Sequence, residues 1–158
     1  MKKQQLQKGF TLIELLLVIA IIAILAAIVI IAINPSRQLE QANNAQRRSD
    51  VNTILNAAYQ YTIDNSGILP ANIPVAAVGA LSGKEICRSD VASTTCGGGV
   101  VLTELYDNEL YIVGLPTDPT GVSTTGTGYY IVRTTSTNAR VTVSTPSAGL
   151  GETIQVTR

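Results

Sequence analysis

Glu14 is the one carboxylate at the head of a long apolar stretch, five residues beyond Gly9. From Leu15 to Ile33 no side chain is polar. An ionisable group in such a stretch costs about 2.5–3.5 kcal/mol at mid-membrane on insertion scales, and less near an end. That cost predicts a partner and a task for Glu14. Few other residues could do chemistry. Cys87 and Cys96 are the only cysteines, and histidine is absent. Without histidine there is no Ser-His pair and no His-based metal site. The carboxylates are scattered, with no pair at a recognisable catalytic spacing. The expectation is a protein that is not an enzyme.

The residues around Glu14 read Lys8-Gly9-Phe10-Thr11-Leu12-Ile13-Glu14. This resembles the class III signal motif of type IV pilins and type II secretion pseudopilins. The close resemblance spans about residues 1–65, and beyond that it is one of architecture. It implies that a prepilin peptidase cuts between Gly9 and Phe10, and that the new Phe10 amine is methylated, often by the same enzyme. Glu14 then becomes the fifth residue of the mature chain, where that family carries its glutamate. The resemblance also implies a polytopic inner-membrane platform protein, an assembly ATPase and a homo-oligomeric helical filament as partners.

The elements that must position these residues follow from the pattern. Phe10 to Ile33 is 24 residues, about 36 Å as a helix, which spans a hydrocarbon core of about 30 Å with some tilt. A secretory signal has an apolar core of only about 7–15 residues, so this segment is expected to stay in the product. Lys2, Lys3 and Lys8 precede it, which predicts a cytoplasmic amino terminus and an outward-facing remainder. The chain then sits in the lipid bilayer as a single-pass inner-membrane protein before assembly. The ammonium freed at Phe10 has a reference pKa of about 8 and is charged at neutral pH. In parallel, staggered helices, Glu14 of one subunit can meet Phe10 of another. At about 4 Å and an effective dielectric near 20 that pair attracts by about 4 kcal/mol before desolvation is subtracted. Burial removes much of this, so the pair is expected to fix register while apolar packing supplies cohesion. Ala20, Ala23, Ala26, Ala27 and Ala32 allow close backbone approach.

Loss of residues 1–9 leaves 149, of which about 125 lie beyond the apolar run and make one domain. The whole chain is formally neutral, and without its three leader lysines the side chains sum to −3. No nucleic-acid partner is expected from that balance. Asn34-Pro35 ends the apolar run, and Pro35 either kinks the helix or starts a new one. Leu39, Ala42, Val51, Ile54, Leu55, Ala58 and Tyr61 then recur mostly at spacings of three and four, predicting an amphipathic helix to Asn65. Asn65-Ser66-Gly67 and Pro70 stop it. Arg47, Arg48 and Asp50 are read as a solvated polar face, with intersubunit salt bridges as the functional alternative.

Residues 66–100 read as an irregular loop, with one helical turn around Ala76–Ala80. An outside location favours a disulfide between Cys87 and Cys96, worth roughly 2–3 kcal/mol for a loop of about ten residues. Gly97-Gly98-Gly99 lacks the Lys-Ser/Thr ending of a phosphate loop and is read as a connector. Leu102, Leu105, Leu110 and Ile112 suggest a short helix and then an extended piece. Leu115-Pro116-Thr117-Asp118-Pro119 resembles the connector that precedes the sheet in pseudopilin-like chains. Asp118 is read as a turn residue, the alternative being a ligand of calcium, as in calcium-binding pseudopilins. Tyr129–Thr134, Ala139–Thr145 and Thr153–Thr157 predict three antiparallel strands, separated by Ser136-Thr137-Asn138 and residues 146–151.

The predicted fold is α+β: a long kinked amino-terminal helix on a small antiparallel sheet, in the layout of type IV pilins. Its parts are a leader (1–9), a membrane and polymerisation helix (10–33), an amphipathic continuation (34–65) and a globular head (66–158). The expected function is a structural filament subunit, in a type IV pilus (fimbrium) serving adhesion, motility or DNA uptake. The alternatives are a pseudopilus that acts as a periplasmic piston in type II secretion, and a membrane-anchored binding module that never polymerises. The compact sheet and the Leu-Pro-x-Asp-Pro stretch lean toward a pseudopilin, the disulfide loop toward a pilin.

Overall fold

The computed structural model describes residues 9–76, 83–91, 97–121, 124–135 and 139–158. The leader lysines, most of the turn expected at Ala76–Ala80, Cys96 and the turn Ser136-Thr137-Asn138 lie outside the described residues. The chain forms two compact units, one up to Leu39 and one from Glu40 to Arg158.

In the first unit, α1 runs from Leu12 to Ile33. Every described residue of it is exposed, and its hydropathy is 3.6. It is long and apolar enough to cross a membrane. It stops at Asn34, whose backbone is left-handed (φ 47°, ψ 77°). Pro35 disfavours α geometry at the residue before it, and asparagine tolerates the left-handed region better than most. A new helix, α2, starts at Pro35 and continues to Asp64, because proline suits a first helical position that needs no donor. The Asn34 side chain accepts a hydrogen bond from the Arg37 amide at 3.4 Å. Pro35 therefore begins a second helix, where the predicted fold had it kink one continuous helix; the left-handed Asn34 breaks the helical hydrogen bonding between them.

In the second unit, α2 carries Val51, Ile54, Leu55 and Ala58, all fully buried. Leu39 is 63% exposed and Ala42 is also on the surface, contrary to the expected stripe. Extended back from Val51 at helical spacing, the buried face meets Arg47 and Asn44 instead. The helix ends as expected: the Gly67 amide donates to the Thr62 carbonyl at 2.8 Å, and Gly67 takes φ 88°, which only glycine adopts freely.

Among the described residues the sheet has five strands: β1 Val75–Ala76, β2 Lys84–Cys87, β3 Gly126–Thr134, β4 Val141–Thr145 and β5 Ile154–Thr157. β3 is central. β4 pairs antiparallel along one edge and β5 follows it antiparallel. On the other edge β2 pairs antiparallel (Lys84 opposite Ile131) and β1 pairs parallel (Val75 opposite Arg133). The sheet is thus mixed, not purely antiparallel, and two of its strands come from the stretch expected to be irregular. Both are short, and their pairing is fixed by β3, not by any alternation of their own. Inward side chains Tyr129, Ile131, Val141, Val143 and Ile154 pack in one core with the α2 residues. The short helix α3, Thr103–Tyr106, adds Leu105 and its preceding Leu102 to that core.

Candidate processing and assembly site

The entrance to α1 is built by Thr11 and Glu14. Thr11 sits in extended geometry (φ −78°, ψ 152°) as the helix cap. Its hydroxyl accepts from the Glu14 amide at 3.3 Å, and the Glu14 carboxylate accepts from the Thr11 amide at 3.4 Å and the Thr11 hydroxyl at 3.2 Å. This is a capping box, which satisfies two otherwise orphaned amides at the start of the helix. A carboxylate in the first turn also complements the positive end of the helix dipole. Thr11 stands in the motif that sequence singled out but was given no role there, although Thr-x-x-Glu ahead of an apolar run is the signature of this box. Gly9 and Phe10 precede the cap without helical structure, and Phe10 is 85% exposed. A peptide bond in such an unpaired, exposed segment is accessible to a protease.

The polar residues of the head are arranged differently from the expectation. Arg47 and Asp50 are not on a solvated face. Arg47 is 1% exposed, and its Nε and Nη2 donate to the two Asp118 carboxylate oxygens at 2.7 and 2.9 Å. Nη1 donates to Asn44 Oδ1 at 3.0 Å, and Nη2 also donates to the Thr120 hydroxyl at 2.9 Å. Asp50 is 5% exposed and accepts from the Tyr129 hydroxyl at 2.6 Å and from Gln46 at 2.8 Å. Asn44 holds Gly149 from both sides, accepting from its amide and donating to its carbonyl at 3.0 Å each. The physical reason is that a charge at a buried helix position must be paired and hydrogen-bonded. The partners here lie 71 and 79 residues away in sequence. Arg48 alone keeps the expected exposure, and it pairs with Glu152.

Asp118 is a turn residue, as read: its Oδ1 accepts from the Thr120 amide at 2.9 Å. Burial pushes its carboxyl up, but hydrogen bonds from Arg47 and Thr120 outweigh this and hold it below the usual carboxylate range. Both oxygens face a guanidinium, so this donor set does not suit calcium. No group of three or more candidate metal ligands occurs among the described residues. Cys87 closes β2 and is 1% exposed.

A long helix that is apolar apart from Glu14, a second helix and, among the described residues, a five-stranded mixed sheet make an α+β protein with a pilin-like layout. Residues 4–32 match the family described as the prokaryotic N-terminal methylation motif, the class III signal peptide of type IV pilins and pseudopilins. The match includes Gly9, Phe10, Thr11 and Glu14 and most of α1. No curated protein and no solved structure matches the chain. The matched motif covers residues 4–32 and supports, for that segment, a substrate of the type IV pilin-like or pseudopilin kind.

Proposed function

We propose that this chain is the structural subunit of a type IV pilus or pilus-like filament, cut after Gly9, methylated on Phe10 and polymerised through α1. The observation that carries the reading is that all 22 residues of α1 are unburied while the methylation motif ends inside it. Such a surface needs either lipid or copies of itself, and a prepilin has both in succession. The partners are the prepilin peptidase, a platform protein and an assembly ATPase. The route runs from the inner membrane, amino terminus inside, to a surface filament. Glu14 sets the register by meeting the Phe10 ammonium of a neighbour, and Cys87 with Cys96 closes a loop of the head. The absence of a free cysteine among the described residues supports that bridge.

The capping box gives Glu14 a second role inside its own chain, and two substitutions separate the roles. Glu14→Gln keeps the box, which accepts glutamine, but removes the charge. Glu14→Ala removes both. Both variants should be inserted and cleaved at Gly9, and both should lose most of their filament in the sheared surface fraction. Normal filament from Glu14→Gln would show that the cap suffices and that charge does not set the register.

A further inference from the structure

The carboxy-terminal end of α2 has a basic flank and an acidic, apolar flank. Tyr59 and Thr62 line a cavity of about 570 Å³ together with Leu69, Arg140 and Arg158. No carboxylate side chain lines it. Arg133 belongs to the same end of the sheet, since it lies opposite Val141, which exchanges backbone hydrogen bonds with Arg158. Arg158 donates to the neutral Asn56 at 2.7 Å. None of the three arginines takes part in an ion pair among the described residues. Gln60, Ile63 and Asp64 line a second cavity of about 300 Å³ with Leu110 and Tyr111. Glu109 directly precedes these last two residues, Asp107 lies two positions before it, and Glu104 stands one turn earlier. These four carboxylates make no ion pair either. Ile63, Leu110 and Val113 are 75%, 69% and 76% exposed.

The two linings come from the same two turns of one helix. At about 100° per residue, the mean direction of positions 59 and 62 lies about 120° from the mean direction of positions 60, 63 and 64. The flanks are therefore level along α2 but face different ways. The two buried side-chain polar atoms that lack a hydrogen-bond partner among the described residues divide between them: Arg133 Nε beside the basic flank and Glu104 Oε2 beside the acidic one.

We propose that these flanks are the two halves of a lateral contact between heads, in which the acidic, apolar flank of one copy docks on the basic flank of the next. The inference rests on the filament reading and adds to it a contact outside α1. Charge complementarity names the occupant: each flank repels its own kind and attracts the other. Because the halves differ, the contact is heterologous, and it propagates as an open helix instead of closing as a two-fold dimer. Ile63, Leu110 and Val113 supply the apolar centre, and the charges form the rim that fixes orientation.

Charge reversal in the native host tests this with the full chain. Arg140→Glu with Arg158→Glu, and separately Asp107→Arg with Glu109→Arg, are expected to cut sheared filament by about tenfold or more. All four substitutions together are expected to restore it to within about threefold of wild type. Cleavage at Gly9 and the near-ultraviolet tyrosine spectrum stay unchanged throughout. Wild-type yields from either single-flank reversal would overturn the inference, as would failure of the combination to rescue two well-folded parents. A wild-type chain that never polymerises would instead overturn the filament reading beneath it. Independently, filaments of Arg140→Lys assembled from mixed isotope-labelled copies are treated with a carbodiimide. The introduced lysine is expected to join Asp107 or Glu109 of a differently labelled copy, and filaments without such cross-label peptides would refute the contact.

Discussion

Asp118→Ala removes two of the acceptors from a guanidinium that is 1% exposed. Arg47 keeps Asn44 and Thr120, both neutral, and Glu40 at 4.0 Å. The nearest remaining carboxylate is thus at the limit of ion pairing, and the charge stays buried with its main compensation gone. Removing one partner of a buried pair costs about 3–5 kcal/mol, a large share of the roughly 5–15 kcal/mol that holds a domain together. For a unit of about 120 residues each kcal/mol moves the midpoint by about 3–5 °C, so the head should melt about 10–25 °C lower. All six tyrosines lie between residues 59 and 130, so near-ultraviolet circular dichroism of the full chain in detergent reads the head alone. Two controls decide the cause. Arg47→Met with Asp118→Leu removes both charges and should recover most of the loss, since an apolar replacement of a buried pair is often neutral or better. Glu152→Ala breaks the exposed pair with Arg48, which is 53% exposed, and should cost no more than about 1 kcal/mol. If Asp118→Ala melts within a few degrees of wild type, or if the double variant is worse than the single, the buried-pair reasoning is wrong.

Further outcomes follow from the same head. The Asp118 carboxyl is held below its ordinary range, so its stabilisation is present above about pH 4 and is lost as pH falls below that; Asp118→Asn should flatten the acid limb of a melting-point profile. Burial, then the hydrogen bond to Asp50, pushes the Tyr129 hydroxyl well above its ordinary value. Its contribution is therefore intact below about pH 10 and lost above it, and Tyr129→Phe should blunt the alkaline limb while costing about 1–3 kcal/mol at neutral pH. Cys87→Ser should lower stability by about 2–3 kcal/mol in the oxidised protein and by much less under reductant, as read by urea unfolding with and without dithiothreitol.

The amino-terminal third was the most legible part. An unbroken run of apolar residues, a glycine and a spaced glutamate carry their meaning locally, and helix length follows from composition. A break in the helix at Asn34-Pro35 was legible too, because the restriction that proline imposes on its neighbour is local, but the expected form, one kinked helix, was not the one found: Pro35 opens a second helix. The strands β3, β4 and β5 lie within a few residues of their expected bounds, since β-branched alternation marks them. β1 and β2 were missed because Val75–Ala76 and Lys84–Cys87 are too short for any periodicity and owe their state to the edge of β3. The buried network was missed because charges on a helix are usually solvated. One signal was available. The stripe Val51, Ile54, Leu55, Ala58 continues backwards at helical spacing to Arg47 and Asn44, not to Leu39. Polar residues in line with a core face announce a distant partner, but they do not name Asp118.

The filament reading stands or falls on the state of the amino terminus. The most direct measurement is the intact mass and amino-terminal sequence of the chain recovered from sheared surface material and from membranes of the native host. A filament subunit should be recovered as a chain beginning at methylated Phe10, abundant in the sheared fraction. An uncut chain beginning at Met1 and confined to membranes would contradict it and leave a plain membrane anchor in its place.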